Sequence, residues 1–506
     1  MKFTFQTPTR LIFGSGRLDA LGDEKLPGKK ALLLTSRGKS AERTGALERT
    51  MKALERAGAQ YVYCPMVESN PVVNNVMKAA LAAREAECDF VVALGGGSVM
   101  DCGKAVAMMA TNPGDFWDYV PQGTGGRKRI EIAPLPIVAI STTAGTGSEV
   151  DGGGVISNPE TKEKIGFGGH PGLYPVLAVV DPELTLSVPP KLTAYQGFDA
   201  LFHAVEGYLT KRPNYMSDMF ALEAVRHIAS GLARAVKDGH DLEAREHVSI
   251  ANTLGGYVMA CCRLTSQHAL EHALSGECPE MQHGAGLIML SIAYFSHMIK
   301  TGANSMRFIE LAHALGVKDA VHPDDFLRAL HDLQIACGVA DLKMSDYGIT
   351  RDDIPKLAAK ARSVGAALFE QDAVALTFED TVSILDSASK PAARAQTRLS
   401  KWDAGFFMSE ACCMASHADF SNADAKHSFD PARSSELTRS KVSPFGKRRA
   451  LLCTSRTPDY AALLNYSAAY PLSLLRLPPA GGQTRSFQPY LYTCLFFNKM
   501  RCLVVI

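Results

Sequence analysis

The 506-residue chain predicts an α/β domain over residues 1–182, an all-α domain over 183–390 and an atypical, disordered segment over 391–506. Three observations carry this division. Strand-like and helix-like runs alternate as far as Pro182, only helical periodicity follows it, and beyond Lys390 neither period is sustained.

In the first part, "KKALLLTS" (29–36) reads as a strand, "SAERTGALERTMKALERAG" (40–58) as one helix and "AQYVYCPMVE" (59–68) as a second strand. The helix "VNNVMKAALAAREAECD", the strand "FVVALGGGS" (90–98), the helix "MDCGKAVAMMA" and the strand "LPIVAIS" (135–141) continue the alternation. Such alternation implies right-handed crossovers and a mostly parallel sheet covered on both faces. In the second part, "KLTAYQGFDALFHAVEGYLT", "MSDMFALEAVRHIASGLARAVKDG", "LEAREHVSIANTLGGYVMACC", "MRFIELAHALG" and "DDFLRALHDLQIACG" repeat apolar residues at three and four, as packed helices do. The last part carries 15 Lys/Arg against 7 Asp/Glu, whereas residues 1–390 are acidic, an asymmetry typical of a tail.

A net charge of +1 with 21% charged residues excludes a polyelectrolyte partner such as nucleic acid and a surface adapted to anionic lipid. The longest apolar run, "GAGLIMLSIAYF", is too short for a membrane span, which needs about 20 residues. The opening "MKFTFQTPTRLIFGSG" lacks the features of a secretory signal, and the twelve cysteines form no C-x-x-C pair. A cytoplasmic protein with free thiols and a small-molecule substrate is the expectation.

Two glycine-bearing loops follow strands. "GGGSVMDCGKA" (95–105) runs from a strand end into a helix, where glycines let backbone amides approach a pyrophosphate. "STTAGTGSEVD" (141–151) adds hydroxyls in the same sheet, and two such loops point to a dinucleotide. The G-x-G-x-x-G fingerprint is absent from the first strand–helix turn. After "ALLLT", where an acidic residue would accept a ribose 2′-hydroxyl, stand Ser36, Arg37, Gly38, Lys39 and Ser40, which accommodate a 2′-phosphate and favour NADP(H) over NAD(H).

Asp199 and His203 lie four residues apart in a helical segment, His268 and His272 repeat the spacing in "HALEH", and His283 heads the next apolar helix. One carboxylate with imidazoles suits Fe(II) or Zn(II), and not Mg(II) or Ca(II). "HALEH" is near the H-E-x-x-H motif of metalloproteases, but Ala269 stands where that motif has its glutamate and Glu271 precedes the second histidine, so the general base is misplaced.

With these residues in hand, the chain resembles the iron-containing (group III) alcohol dehydrogenases, among them lactaldehyde reductase, 1,3-propanediol dehydrogenase and butanol dehydrogenases. "GGGSVMDCGKA", "TTAGTGSEV", "VVDPELTLSVPPKLTAYQGFDALFHAVEGYLT" and "SQHALEHALSGECPEMQHGAGL" carry the resemblance in order, over residues 1 to about 389. It implies a dehydroquinate synthase-like architecture: an N-terminal α/β dinucleotide-binding domain and an all-α metal-binding domain. Its implied activity is reversible hydride transfer between a nicotinamide and a primary or secondary alcohol or its aldehyde or ketone. Metal ligands are then Asp199, His203, His268 and His283, with Fe2+ expected and Zn2+ possible, and His272 is a catalytic neighbour on a proton path. Gly95, Gly96, Gly97, Ser98 and Asp101 are expected at the pyrophosphate, Thr142 and Thr143 along the cofactor, Lys164 near its ribose and Asn70 on the cofactor side. Ser36, Gly38 and Ser40 resemble the pattern of NADPH-using butanol dehydrogenases, and a homodimer or larger homo-oligomer is expected. The chain departs from the pattern in "ALSGECPEMQ" between His272 and His283, and nothing in the family matches the tail, which reads as read-through, frameshifted or accessory sequence. Two other readings are a non-redox dehydroquinate-synthase-like lyase, for which basic clusters are lacking, and a catalytically silent protein whose basic tail binds partners.

Overall fold

The structure, a computed structural model, describes residues 2–390, and the disorder expected of 391–506 lies outside the described residues. Six strands form one parallel sheet: β1 (Arg10–Phe13), β2 (Lys30–Ser36), β3 (Gln60–Val67), β4 (Phe90–Gly95), β5 (Ile137–Ser141) and β8 (Leu177–Val180). Their order is β1-β8-β5-β4-β2-β3. β6 (Gly154–Asn158) and β7 (Glu163–Phe167) form a separate antiparallel hairpin.

Every residue of β4 and of β5 is buried, as expected of central strands covered on both faces. Alternation divides β4 between two cores: Val91 and Ala93 pack on one face, Phe90, Val92 and Leu94 on the other. The edge position of β3 explains why it tolerates Pro65, which has no amide to donate. The crossovers are α1 (Ser40–Arg43), α2 (Ala46–Arg56), α3 (Val73–Glu85) and α4 (Gly97–Thr111). The single helix read over 40–58 is two, because Gly45 takes φ 73°, a left-handed turn that ends α1 and starts α2.

The second half contains α5 (Pro190–Leu209), α6 (Tyr215–Lys237), α7 (Leu242–Cys261), α8 (Ser266–Glu277), α9 (His283–Lys300), α10 (Ser305–Ala314), α11 (Asp324–Ala336), α12 (Ile354–Val364), α13 (Ala366–Phe369) and α14 (Phe378–Ser389). Pro190 begins α5, a position where its missing amide is not needed. Ring contacts such as Phe202 to Phe295 at 6.0 Å and Phe295 to Phe326 at 5.4 Å knit these helices into one core. The β6–β7 hairpin escaped the sequence reading: its strands are five residues each, glycine-rich on entry and lysine-bearing, too short to show a period. It packs β7 against α8 and so touches the helix that carries two histidines.

Among the described residues, no helix is long and apolar enough to cross a membrane.

Candidate metal and cofactor site

Asp199 and His203 face the same way from α5, one turn apart, with Nε2 of His203 at 3.5 Å from Asp199 Oδ1. His268 of α8 and His283, the first residue of α9, bring their Nε2 atoms to 3.6 and 3.4 Å from the same oxygen. Oδ1 of Asp199 and Nε2 of His268 are buried without a hydrogen-bond partner. Unsatisfied atoms in such a place are costly unless something binds them. The far nitrogens are all engaged: Nδ1 of His203 faces Gly145 O at 3.1 Å, that of His268 faces Glu206 Oε1 at 2.5 Å, and that of His283 contacts Glu271 Oε2. These acceptors hold the proton on Nδ1 and turn each Nε2 lone pair toward Asp199, the arrangement that orients imidazoles on a metal. Asp199, His268 and His283 offer ligand atoms mutually within 4.8 Å. His203 adjoins them, its ring stacked on that of His268 at 4.8 Å. The residues fit a divalent transition metal.

Electrostatics agree. Burial alone would raise the Asp199 carboxyl, yet the imidazoles of His203 and His283 overcome it and hold it far below the usual range. Burial lowers His203 to about 4, so it is neutral. On His268 burial is outweighed by Glu206, which pushes the group up to about 10; the proton there must leave before an ion binds. Glu271 stays ionised: burial opposes its charge, but His283 and Lys164 lower it to about 2.

A second donor set, Glu271, His272 and His283, also falls within 4.8 Å, but Glu271 is committed to His283 Nδ1 and to Lys164 Nζ at 3.5 Å. His272 stands apart from Asp199, its ring 5.6 Å from that of His283. Burial and then the Lys164 charge drive it well below 6.5, so the imidazole is neutral and its ring can take up a proton.

Of the other expected residues, Ser36, Gly38 and Ser40 stand at the carboxyl end of β2, Gly95 to Asp101 at that of β4, and Thr142 and Thr143 at that of β5, where open parallel sheets take ligands, while Asn70 follows β3 and Lys164 lies in β7. A Cβ on Gly96 would stand 2.8 Å from Thr143 Oγ1, and one on Gly97 2.7 Å from Thr146 Oγ1, so the two loops approach too closely for side chains. No side chain caps α4 at Gly96, and the amides of Gly97 and Ser98 have no partner among the described residues, which leaves an anion site. Thr142 donates its amide to Gly95 O at 3.0 Å, and Ser141 Oγ donates to Thr143 O at 2.8 Å. The same loop reaches the metal site through Gly145 O.

Three expected cofactor residues are engaged elsewhere. Asp101 accepts from Ser148 Oγ at 2.6 Å and Val155 N at 2.8 Å, and burial pushes it up to about 6. Lys164 donates to Ser275 Oγ at 3.0 Å beside Glu271. Asn70, at φ 55°, donates to Pro279 O at 2.9 Å across to the loop between α8 and α9. Ser36 and Ser40 stand 3.4 Å apart at the end of β2, and a Cβ on Gly38 would meet nothing within 4 Å.

Sequence reasoning missed Glu206 and Glu271. Glu206 shares a stripe of α5 with Asp199 and His203, at spacings of four and three, and Glu271 is the residue whose position argued against a metalloprotease. Fully buried Lys104 also went unread; its Nζ donates to Ser148 Oγ at 2.8 Å, Asp151 Oδ1 at 2.5 Å and Gly153 O at 2.6 Å, joining α4 to the second loop.

Residues 8–182 match the iron-containing alcohol dehydrogenase family, and residues 193–389 match the C-terminal domain of the Fe-containing alcohol dehydrogenase family. The chain belongs to the iron-containing alcohol dehydrogenases. It is 35% identical to 1,3-propanediol dehydrogenase of Klebsiella pneumoniae over 375 residues, 72% of this chain and 94% of that one. It is 32% identical to the probable NADH-dependent butanol dehydrogenase 1 of Bacillus subtilis (strain 168), over 76% of this chain and 99% of that one. Among solved structures, an archaeal halo-thermophilic alcohol dehydrogenase from a Red Sea brine pool, bound to NZQ, aligns with a TM-score of 0.72 at 33% identity, over 77% of this chain and 99% of that one. This iron-containing alcohol dehydrogenase is therefore a metal-dependent oxidoreductase of alcohols and aldehydes with the two-part fold read from its sequence. The lyase and the silent-protein readings find no support in these relatives.

Proposed function

We propose that the enzyme transfers hydride reversibly between a primary or secondary alcohol and NADP(H), with Asp199, His203, His268 and His283 holding Fe2+ or, where zinc is more available, Zn2+. The single observation that carries the site is the convergence of three Nε2 atoms on the partnerless Oδ1 of Asp199 at 3.4 to 3.6 Å. A divalent ion held there would supply Lewis-acid polarisation of an alcohol or carbonyl oxygen, and a nicotinamide would supply the hydride chemistry. Glu206, Glu271 and Gly145 fix the ligand imidazoles before any substrate arrives. The amides of Gly97 and Ser98 bind the pyrophosphate, while Thr142 and Thr143 line the cofactor between the two loops. His272, neutral and buried beside this centre, accepts the proton at its ring and passes it outward.

NADP(H) is favoured by the end of β2. Gly38 leaves open space there, Lys39 is exposed, and the exposed Arg37 guanidinium pairs with Glu68 at 2.6 Å, within reach of a 2′-phosphate by exchange of partner. Asp101, Lys164 and Asn70 serve the cofactor by holding the surrounding loops. A cytoplasmic, reducing setting suits the seven free cysteines among the described residues, and a homodimer or larger assembly is expected.

The test is metal analysis of anaerobically purified protein coupled to NADPH and NADH assays over short-chain aldehydes. His272→Ala is expected to keep its metal and lose turnover, and a metal-free His272→Ala protein would remove the division of roles. Gly38→Asp is expected to move preference toward NADH; unchanged preference would sink the NADP(H) reading.

A further inference from the structure

The end of α5 and the segment after α13 enclose a bowl of about 530 Å³ that is separate from the metal site. That volume suits a small organic molecule. Its lining is unusual in charge. Lys211 and Arg212 leave α5 immediately after its last turn, and Arg362 enters from α12, so cations from two elements face one space. Among the described residues, the side chains of Lys211 and Arg212 have no hydrogen-bond or ion-pair partner, and both are exposed. Arg362 spends one nitrogen on Leu376 O at 2.8 Å, and its guanidinium lies 5.0 Å from the Phe369 ring, leaving a flat cationic and aromatic wall. Glu370 is the one exposed acid on the rim.

The floor is a buried polar group without its full complement of partners. Asp372, 2% exposed, accepts from Ser266 N at 3.0 Å and Tyr294 Oη at 2.8 Å through Oδ1, while its Oδ2 has no partner. Ser266 is the first residue of α8, two residues before His268. The amide of Lys211 donates to Gln371 O at 2.7 Å, which ties the end of α5 to the same floor. The bowl is therefore hydrogen-bonded to the end of α5 and the start of α8, two of the three helices that carry the proposed metal ligands.

We propose that this bowl is a binding site for a small organic anion, a phosphate or carboxylate on a flat apolar body, with Lys211 and Arg212 taking the anionic group and Arg362 with Phe369 taking the body. The ligand bears on α5 and α8 from outside the reaction centre, so its occupancy is positioned to modulate the metal ligands. The inference does not depend on the reaction assigned above, because binding is read without turnover.

Phenyl phosphate, titrated calorimetrically into the full-length protein, is the probe, with inorganic phosphate beside it. Phenyl phosphate is expected to bind at millimolar concentration or below and more tightly than inorganic phosphate. Lys211→Ala/Arg212→Ala is expected to weaken it at least about tenfold, as loss of charge-assisted hydrogen bonds does. Ser98→Asp, which places a carboxylate in the first turn of α4, is expected to leave it unchanged. Absence of binding to the wild type, equal affinity for the two phosphates, or retention in the double variant with loss in Ser98→Asp would each overturn the proposal. The last pattern would assign the anion to α4.

Discussion

Around β4 and β5 the groups proposed to face a cofactor are glycines, amides and hydroxyls, held in place by charges tucked behind them, such as Lys104 between Asp151 and Ser148. Around α5, α8 and α9 the groups proposed to face a metal are side chains, and the charges behind them, Glu206 and Glu271, touch the imidazoles of His268 and His283 directly. A region built of backbone groups suits a shape that many cofactors share and should lose little when one side chain changes. The second concentrates its function in a few atoms, and each of those atoms needs a partner on its far side. The contrast teaches where damage will be severe and where it will be graded.

The largest effect is expected at the shared carboxylate. Asp199→Ala removes the oxygen on which three Nε2 atoms converge. Metal analysis should show loss of the ion, with turnover down about a thousandfold or more, since Lewis-acid assistance is worth several kcal/mol. A metal-replete Asp199→Ala protein would break the comparison at its root. Next comes the acceptor behind the ligand. Glu271→Gln keeps shape and loses charge beside His283 and Lys164, so chelator competition should read an affinity about 10- to 100-fold weaker. The glycine loops should respond by a different rule. Gly96→Ala forces its Cβ against Thr143 Oγ1 at 2.8 Å and Cγ2 at 2.9 Å. Overpacking of that kind costs about 1–3 kcal/mol, visible as a raised KM for cofactor with the metal retained. Gly38→Ala, with nothing within 4 Å, should leave melting temperature unchanged.

The two regions also differed in how much could be read from the chain. Spacings of four in "GFDALFH" and "HALEH" point Asp199 to His203 and His268 to His272 along single helices, and that much is local geometry. That His268 approaches Asp199 while His272 does not is set by how α5, α8 and α9 pack, which no local spacing records. The first glycine loop was legible because strand, glycines and helix follow one another directly, and the second because its glycines and hydroxyls follow a strand. The hairpin and the partner of Lys164 were not: β6 and β7 pair only with each other, and the contact of Lys164 with Glu271 joins residues 107 apart in number, through tertiary packing alone. Asp101 shows a further limit, since the glycine motif marks it without recording that its carboxylate accepts from Ser148 and Val155.

The junction between the two regions yields the smallest and most specific expectation. Glu149, in the second glycine loop, is fully buried; its Oε1 accepts from Asn252 Nδ2 at 2.7 Å and Thr253 Oγ1 at 2.8 Å on α7, and its Oε2 has no partner. Burial pushes it up to about 7, with Asp151 adding to the rise and Lys104 opposing it. An acid whose folded value lies above its unfolded value of 4.5 favours the folded state while protonated, and that contribution is lost as pH rises from about 4.5 through about 7. Glu149→Gln keeps the acceptor, cannot ionise and gives up that pH dependence. Its melting temperature should therefore sit close to wild type at pH 5 and above it at pH 8, the gap opening across the window in which Glu149 loses its proton. A gap that stays constant across that window would mean that Glu149 is already ionised at pH 5, and that the contact between the glycine loop and α7 is held by a charge, as the metal ligands are, and not by neutral hydrogen bonds.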